Sequence, residues 1–303
     1  MNLHRRKAIT SVDKTPKYSI CICNWNMGDT IEASIRSIAR QVNSDFEIII
    51  VDDGSTDNSI PNIKSLMNEI GILRVYFLPR DKNRKLGETR NFSIQQSRGE
   101  WCIFHLDTDD LIGNHILEFA QLVEVLDSRF EKDLLFAGQQ IHMARRNFLL
   151  TKGPFRNIYR GEDRDLYERL AISDQWIVIN HRKFISRLDR AYIKLKKKTI
   201  QDIWDQIVSD LRLNPSPLGY LVLSAKKIRK LRPHLFVLRL LLITPALVAA
   251  YKAGILPSVN KFATNEEFVS YRERNTKTAA EWLEIAGVPM SKRDEIAKSS
   301  IFK

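Results

Sequence analysis

Residues 17–198 predict an α/β fold in which a mostly parallel sheet is covered by helices on both faces. Short apolar runs rich in β-branched residues (18–23, 46–51, 73–78 and 101–106) alternate with segments of helical periodicity. Strand, helix, strand repeats of this kind imply crossover connections and parallel pairing. Polar clusters follow three of the runs, at 24–26, 52–57 and 107–110. Those are strand carboxyl ends, where open α/β sheets bind ligands.

The first strand, Tyr18 to Cys23, runs into Asn24-Trp25-Asn26. From Asp29 to Val42, Ile31, Ile35, Ile38 and Val42 fall at helical spacing, with Asp29 or Thr30 as N-cap. Phe46 to Val51 is a continuous apolar strand ending at Asp52-Asp53-Gly54-Ser55. A helix over Ile60–Ile70, a strand over Leu73–Leu78, a basic loop and a helix over Gly87–Gln96 follow. The strand Trp101–Leu106 then ends in three carboxylates, Asp107, Asp109 and Asp110. In an extended segment Asp107 and Asp109 project from one side. Magnesium is usually held by one or two carboxylates plus substrate phosphates, so this lip is a candidate cation site; a solvated acidic turn is the plainer alternative.

Motifs narrow the chemistry. No G-x-G-x-x-G follows the first strand, so a dinucleotide of the usual kind is unsupported, and no G-x-x-x-x-G-K-[ST] supports P-loop phosphoryl transfer. Among 303 residues, 44% hydrophobic and 28% charged, no low-complexity tract or fixed repeat appears. Cys21, Cys23 and Cys102 lie in apolar runs without metal-type spacing and read as buried thiols of a reducing compartment. The start, Met1 to Lys7, has no apolar signal core, so a cytoplasmic location is expected. Of the net charge of +12, residues 181–232 carry +10, with fourteen Lys or Arg against four Asp.

Five segments in order carry a resemblance: Ser19–Asn26 (Ser-Ile-Cys-Ile-Cys-Asn-Trp-Asn), Asp45–Asp57, Gly87–Asn91, Arg98–Trp101 and Leu106–Leu111. Together they resemble the family 2 inverting glycosyltransferases of GT-A fold, over roughly residues 17–175. The resemblance implies a GT-A (Rossmann-like) domain, a nucleotide-diphosphate sugar donor, with a UDP-sugar favoured over a GDP-sugar, and Mn²⁺ or Mg²⁺ as cofactor. It implies donor contacts at Cys23, Asn24, Trp25, Asp52, Lys85, Arg90, Asp107 and Thr108. Cys23 and Asn24 stand where the family usually has Pro-Thr, and Trp25 where it has Tyr; an aromatic at a strand end offers a flat face for a base. Asp52 would accept a hydrogen bond from that base, and Lys85 or Arg90 would neutralise the diphosphate. Asp109 would ligate the metal, with Asp107 on the metal or the ribose, Asp110 structural, and His105 a packing position. Gly161-Glu162-Asp163 resembles the family's E-D motif at a helix start. Inverting transfer needs a carboxylate to deprotonate the acceptor hydroxyl; Asp163 is the expected base and Glu162 the second choice. The competing explanation is that acidic residues favour a helix's first turn. The Q-x-x-R-W element of processive synthases is missing, so single-residue transfer is expected.

Residues 1–16 read as a basic tail, 17–198 as the catalytic domain (17–112 for the donor, 113–198 for the acceptor), and 199–303 as a helical C-terminal region. Thr199–Asp202 looks like a capping box ahead of Ile203, Trp204, Ile207, Val208 and Leu211. Lys226–Arg232 is basic, and Leu235 to Tyr251 is apolar but contains Pro245 and falls short of the ~20 residues that span a bilayer. It is either a core helix or an interfacial one whose basic flank meets anionic headgroups at the inner face of the cell membrane, which would suit a lipid-linked or glycan acceptor in surface polysaccharide or glycolipid assembly. Two helices are expected beyond residue 264, Asn265–Ala286 and one opened by Ser291. Their spacing superficially resembles a helix-turn-helix, but the basic block lies elsewhere, so nucleic-acid binding is not favoured. A catalytically silent sugar-nucleotide binder of the same fold is the other alternative.

Overall fold

The computed structural model describes residues 15–188, 200–213, 215–221, 233–257, 265–299 and 301–302. Ten strands are seen among them: β1 (Tyr18–Asn24), β2 (Phe46–Asp52), β3 (Leu73–Phe77), β4 (Trp101–Phe104), β5 (Asp110–Ile112), β6 (Leu135–Ala137), β7 (His142–Arg145), β8 (Trp176–Asn180), β9 (Ile185–Arg187) and β10 (Thr276–Thr278). Eight form one sheet in the order β10-β8-β6-β7-β4-β1-β2-β3, in which β7 alone runs antiparallel to its neighbours. β5 and β9 form a separate antiparallel pair that sets Asp110 opposite Arg187.

The continuous apolar strands are explained by two covered faces. Ile20, Ile22, Ile48 and Ile50 point to one side, where they meet Ile31, Ile35 and Ile38 of α1 (Ile31–Ala39), Ile63 and Leu66 of α2 (Ser59–Glu69), and Phe119 and Val123 of α4 (Ile116–Asp127). On the opposite side Cys21, Cys102 and Phe104 meet Ile94 of α3 (Leu86–Gln96), Phe148 of α5 (Arg146–Thr151), and Leu166 and Leu170 of α6 (Glu162–Ile172). Each such side chain, fully buried, contributes roughly 1.5–3 kcal/mol.

A third apolar cluster joins α7 (Ile200–Leu213) to α8 (Pro233–Lys252) through Ile203, Ile207, Leu211, Ile243, Ala246 and Ala250. This pair is fastened to the segment that precedes α6: Ser209 Oγ accepts from Tyr159 N (2.8 Å), Asp202 Oδ1 accepts from Tyr159 Oη (2.9 Å), and Arg212 Nη1 donates to Asn157 O (2.9 Å). Residue 199, which would open the expected capping box, and the basic run 226–232 lie outside the described residues.

The C-terminal region differs from expectation. The helix expected over Asn265–Ala286 is two, α9 (Asn265–Arg274) and α10 (Ala279–Ile285), separated by β10; α11 (Met290–Ala297) follows. Thr276–Thr278 pairs in parallel with Val178–Asn180, adding an edge strand to the eight-stranded sheet across the boundary expected at 198/199. Thr278 then caps α10 in a reciprocal capping box with Glu281, and Ala279, Leu283 and Val288 enter the main core. The physical reason is that α10's apolar side can be buried only against the sheet. The tail is thereby part of the core and does not form a detached helix-turn-helix module.

Candidate functional site

The site lies beyond the carboxyl ends of β1, β2 and β4. At the first two, Asn24 and Asp52 are register partners. Asn24 Nδ2 donates to Asp52 Oδ2 at 2.7 Å, Ser55 Oγ donates to the same oxygen at 2.6 Å, and Ser55 N to Oδ1 at 2.9 Å. Asp52 is thus a buried brace that ties the two strand ends. Its neighbour Asp53 is held by Arg80 and by Arg84, whose Nε lies 2.7 Å from Oδ1. Trp25 is 44% exposed at the strand end, with the Arg80 guanidinium 4.8 Å from its ring centroid.

The segment Gly87-Glu-Thr-Arg-Asn91 is explained by close approach. A Cβ on Gly87 would lie 2.3 Å from Arg156 O, and the Asn91 side chain holds the backbone of Phe155 at both its polar groups, donating to Phe155 O (2.7 Å) and accepting from Phe155 N (2.8 Å). This seats α3 against the 155–156 backbone and sends Arg90 to the crevice. There Arg90 lies over the Phe155 ring, 3.3 Å from His105 Nδ1 and 3.6 Å from Glu162 Oε1. A small cavity of about 10 Å³, room for one water, is lined by Cys23, Arg90, His105 and Asp107, so three of the expected donor residues meet there. Burial pushes the Cys23 thiol up to about 12, which keeps it protonated. Lys85 is not brought to this point: its Nζ bonds Lys82 O at 2.9 Å and pairs with Asp205 of α7 at 3.1 Å.

Leu106 to Asp109 are not part of a strand, and Asp110 opens β5. β4 ends at Phe104, and His105 turns the chain at φ +68°. Its ring stacks on the buried His142 of β7, with centroids 4.5 Å apart and an interplanar angle of 2°, which bears out a packing position. Burial, followed by the Arg90 charge, holds the His105 imidazole down at about 3, hence neutral. The 107–109 backbone is clamped by α1 and its cap: Thr30 Oγ1 donates to Thr108 O at 2.9 Å and Ser34 Oγ to Asp107 O at 3.2 Å. Although the segment is not extended, its carboxylates converge on one guanidinium: Arg187 Nη1 lies 2.6 Å from Asp109 Oδ1, Nη2 3.2 Å from Asp107 Oδ2 and Nε 3.1 Å from Asp110 Oδ1. Burial raises the Asp110 carboxyl to about 6. Among the described residues no group of three or more His, Cys, Asp or Glu is disposed to hold a metal by itself. An all-oxygen set that already gathers round one cation does fit a hard divalent ion sharing its shell with substrate phosphates.

Across the crevice, Arg160 and Gly161 both adopt positive φ, +63° and +79°, and bend the chain into α6. Glu162 is buried, and its carboxyl is raised by that burial with Arg90 opposing the shift. Asp163 is partly exposed, and its Oδ1 accepts from Arg164 N at 2.7 Å. Arg187 and Asn91 escaped sequence reading, since each acts through a partner distant in the chain: Arg187 and Asp109 are 78 residues apart, Asn91 and Phe155 64.

This is a doubly covered α/β fold with a polar crevice at its strand ends. The chain belongs to glycosyltransferase family 2, whose model matches residues 19–176. It is 31% identical over 102 residues to the cholesterol galactosyltransferase of Borreliella burgdorferi, covering 34% of this chain and 27% of that protein. It is 32% identical over 172 residues to a PGL/p-HBAD biosynthesis glycosyltransferase of Mycobacterium bovis, covering 48% and 65%. The chain therefore spans less than two thirds of either relative. The crystal structure of Staphylococcus aureus TarS 1–349 in complex with UDP-GlcNAc shares the fold, at a TM-score of 0.50 and 19% identity over 64% of this chain and 66% of that one.

Proposed function

We propose that the protein is an inverting, divalent-metal-dependent glycosyltransferase that moves a hexosyl unit from a nucleoside-diphosphate sugar, a UDP-sugar in preference to a GDP-sugar, to a hydroxyl of a glycan or lipid-linked acceptor. The single observation that supports this best is the position of Arg90, which touches the crevice under the acidic lip and also the Glu162-Asp163 helix start. Donor-side and acceptor-side groups thereby border one space.

In this reading the base rests on Trp25, above the Asn24–Asp52 brace and beside Cys23, and Arg90 neutralises the diphosphate through charge-assisted hydrogen bonds. Asp109 and Asp107, flanking Thr108, would hold Mn²⁺ or Mg²⁺, which supplies charge neutralisation for the departing diphosphate. Asp163 takes the proton of the acceptor hydroxyl as its oxygen bonds to the anomeric carbon; the bond from that carbon to the diphosphate oxygen breaks on the opposite face, and the configuration inverts. Of the two carboxylates, Asp163 suits the base better because it is partly exposed, whereas Glu162 is buried against Arg90.

A membrane-facing acceptor is supported by α8. Its buried residues Ile243, Ala246 and Ala250 face α7, while Val237, Leu241, Val248 and Tyr251 are exposed along the other side, Leu241 by 71%. Residues 211–264 contain nine Lys or Arg and no Asp or Glu, a charge complement for an anionic bilayer surface such as the inner face of the cell membrane. No helix among the described residues is long and apolar enough to cross a membrane, so the contact would be peripheral. Surface polysaccharide or glycolipid assembly is the role this suits.

The test is a screen of UDP-, GDP-, TDP- and CMP-sugars with and without Mn²⁺. Ligands of the native state raise the melting temperature. The reading expects a Mn²⁺-dependent rise with one sugar nucleotide and release of its nucleoside diphosphate once a glycan or lipid acceptor is added. A donor that binds and is never turned over with any acceptor of either class would favour a silent binder.

A further inference from the structure

Arg187 is in contact with all three acidic side chains of the 107–110 segment, and its place is set by backbone as well as by charge. It sits opposite Asp110 in the β5–β9 pairing, and the next residue, Leu188, donates its N–H to Asp109 O at 2.7 Å. Asp109 and Asp110 are each 1% exposed, and the Arg187 side chain, 50% exposed, reaches in from the lip to pair with both. An isolated buried carboxylate is strongly disfavoured, and a guanidinium with five donors in a planar fork satisfies several oxygens at once. A divalent ion held by Asp109 and Asp107 needs oxygens that this fork now occupies.

We infer that Arg187 is a built-in counter-cation of the acidic lip, competing with the divalent metal for the carboxylates of Asp109 and Asp107 and so setting the metal affinity of the site. This rests on the metal reading proposed above. Without metal, Arg187 keeps the turn folded with its carboxylates gathered. On metal binding it releases at least Asp109, and the energy of that pair is subtracted from the affinity for the ion. A site of this kind binds metal alone weakly.

The test is the affinity of the full chain for Mn²⁺ alone, read by electron paramagnetic resonance of free Mn²⁺, in the unaltered protein and in Arg187→Met, Arg187→Lys and Asp109→Asn. Arg187→Met should bind Mn²⁺ at least tenfold more tightly than the unaltered protein, with Arg187→Lys in between because a point cation covers fewer oxygens. Thermal unfolding in chelator reads folding separately: Arg187→Met should melt lower than the unaltered protein and recover with Mn²⁺. If Mn²⁺ binding depends on Asp109 but is equal or weaker in Arg187→Met, the inference is wrong and the metal reading stands. If none of these proteins binds Mn²⁺ in an Asp109-dependent way, both fall.

Discussion

Arg90 of α3 lies 3.6 Å from Glu162 of α6, and both are largely buried, with side-chain exposures of 12% and 5%. At that distance the contact is an ion pair and not a hydrogen bond. It couples α3 to the start of α6 through two residues 72 positions apart. Removing one member of a buried pair leaves an uncompensated charge and typically costs about 3–5 kcal/mol. Arg90→Met should therefore lower stability by about that amount, and adding Glu162→Gln should restore most of it. Urea unfolding of the two single variants and the double variant measures the coupling; additive losses would show that the pair does not interact.

Asp163→Asn keeps the shape of the helix start and removes the proton acceptor. Turnover should fall by about 10²–10⁴-fold, the usual worth of a positioned general base. Binding of the donor nucleotide, followed by calorimetry, should stay within a factor of two or so of the parent. Full turnover in this variant would move the base to Glu162 or elsewhere.

Glu47 anchors the far end of the sheet, away from the crevice. It is buried and accepts from Ser19 Oγ (2.6 Å), Arg98 N (2.6 Å) and Arg74 Nη1 (2.6 Å). Burial alone would raise its carboxyl, but the Ser19, Arg74 and Arg98 donors outweigh burial and hold it below its ordinary 4.5. A carboxyl lowered in the fold stabilises fully above its unfolded value, and the contribution is lost as pH falls through the folded one. Stability should therefore decline below about pH 4.5 partly through this group. Glu47→Gln should flatten that part of the acid limb and cost about 1–3 kcal/mol at neutral pH. Chemical denaturation across pH 3–7 provides the comparison.

Gly87→Ala would place a methyl against the Arg156 carbonyl, at 2.3 Å before any relaxation. Overpacking of this sort costs about 1–3 kcal/mol. Because α3 must shift to relieve it, donor binding through Arg90 should weaken too. A variant with unchanged melting temperature and donor affinity would contradict the close packing of α3 on the 155–156 backbone.

Charge placed on the exposed side of α8 tests the membrane contact. Leu241→Glu combined with Val248→Glu should reduce binding to vesicles rich in anionic lipid at least tenfold, with donor binding unaffected. Each lost apolar contact and each repelled headgroup is worth roughly 1 kcal/mol or more. Equal vesicle binding in sedimentation assays would count against a peripheral contact through this face.

Most of the sheet and its helices were legible because their signals are local. Ile31, Ile35 and Ile38 announce α1 by spacing, Phe46–Val51 announces β2 by an unbroken apolar run, and the polar clusters after β1, β2 and β4 announce the crevice. The resemblance over five segments pointed to the family, which the match over residues 19–176 then showed. What could not be read is what depends on chain segments meeting across space. Burial of α10 against the sheet decided that Thr276–Thr278 would complete it as an edge strand, since a three-residue strand carries no periodicity of its own. Hydrogen-bond geometry made Asp52 a brace and turned Lys85 toward α7. Arg187 belongs here most clearly: nothing near it in sequence is acidic apart from Asp189, and it takes the β5–β9 pairing to set its guanidinium among Asp107, Asp109 and Asp110. Local patterns specify which elements form, because spacing and apolar content act within one turn or one strand. The charges that govern the crevice are paired only when the whole sheet has closed around them.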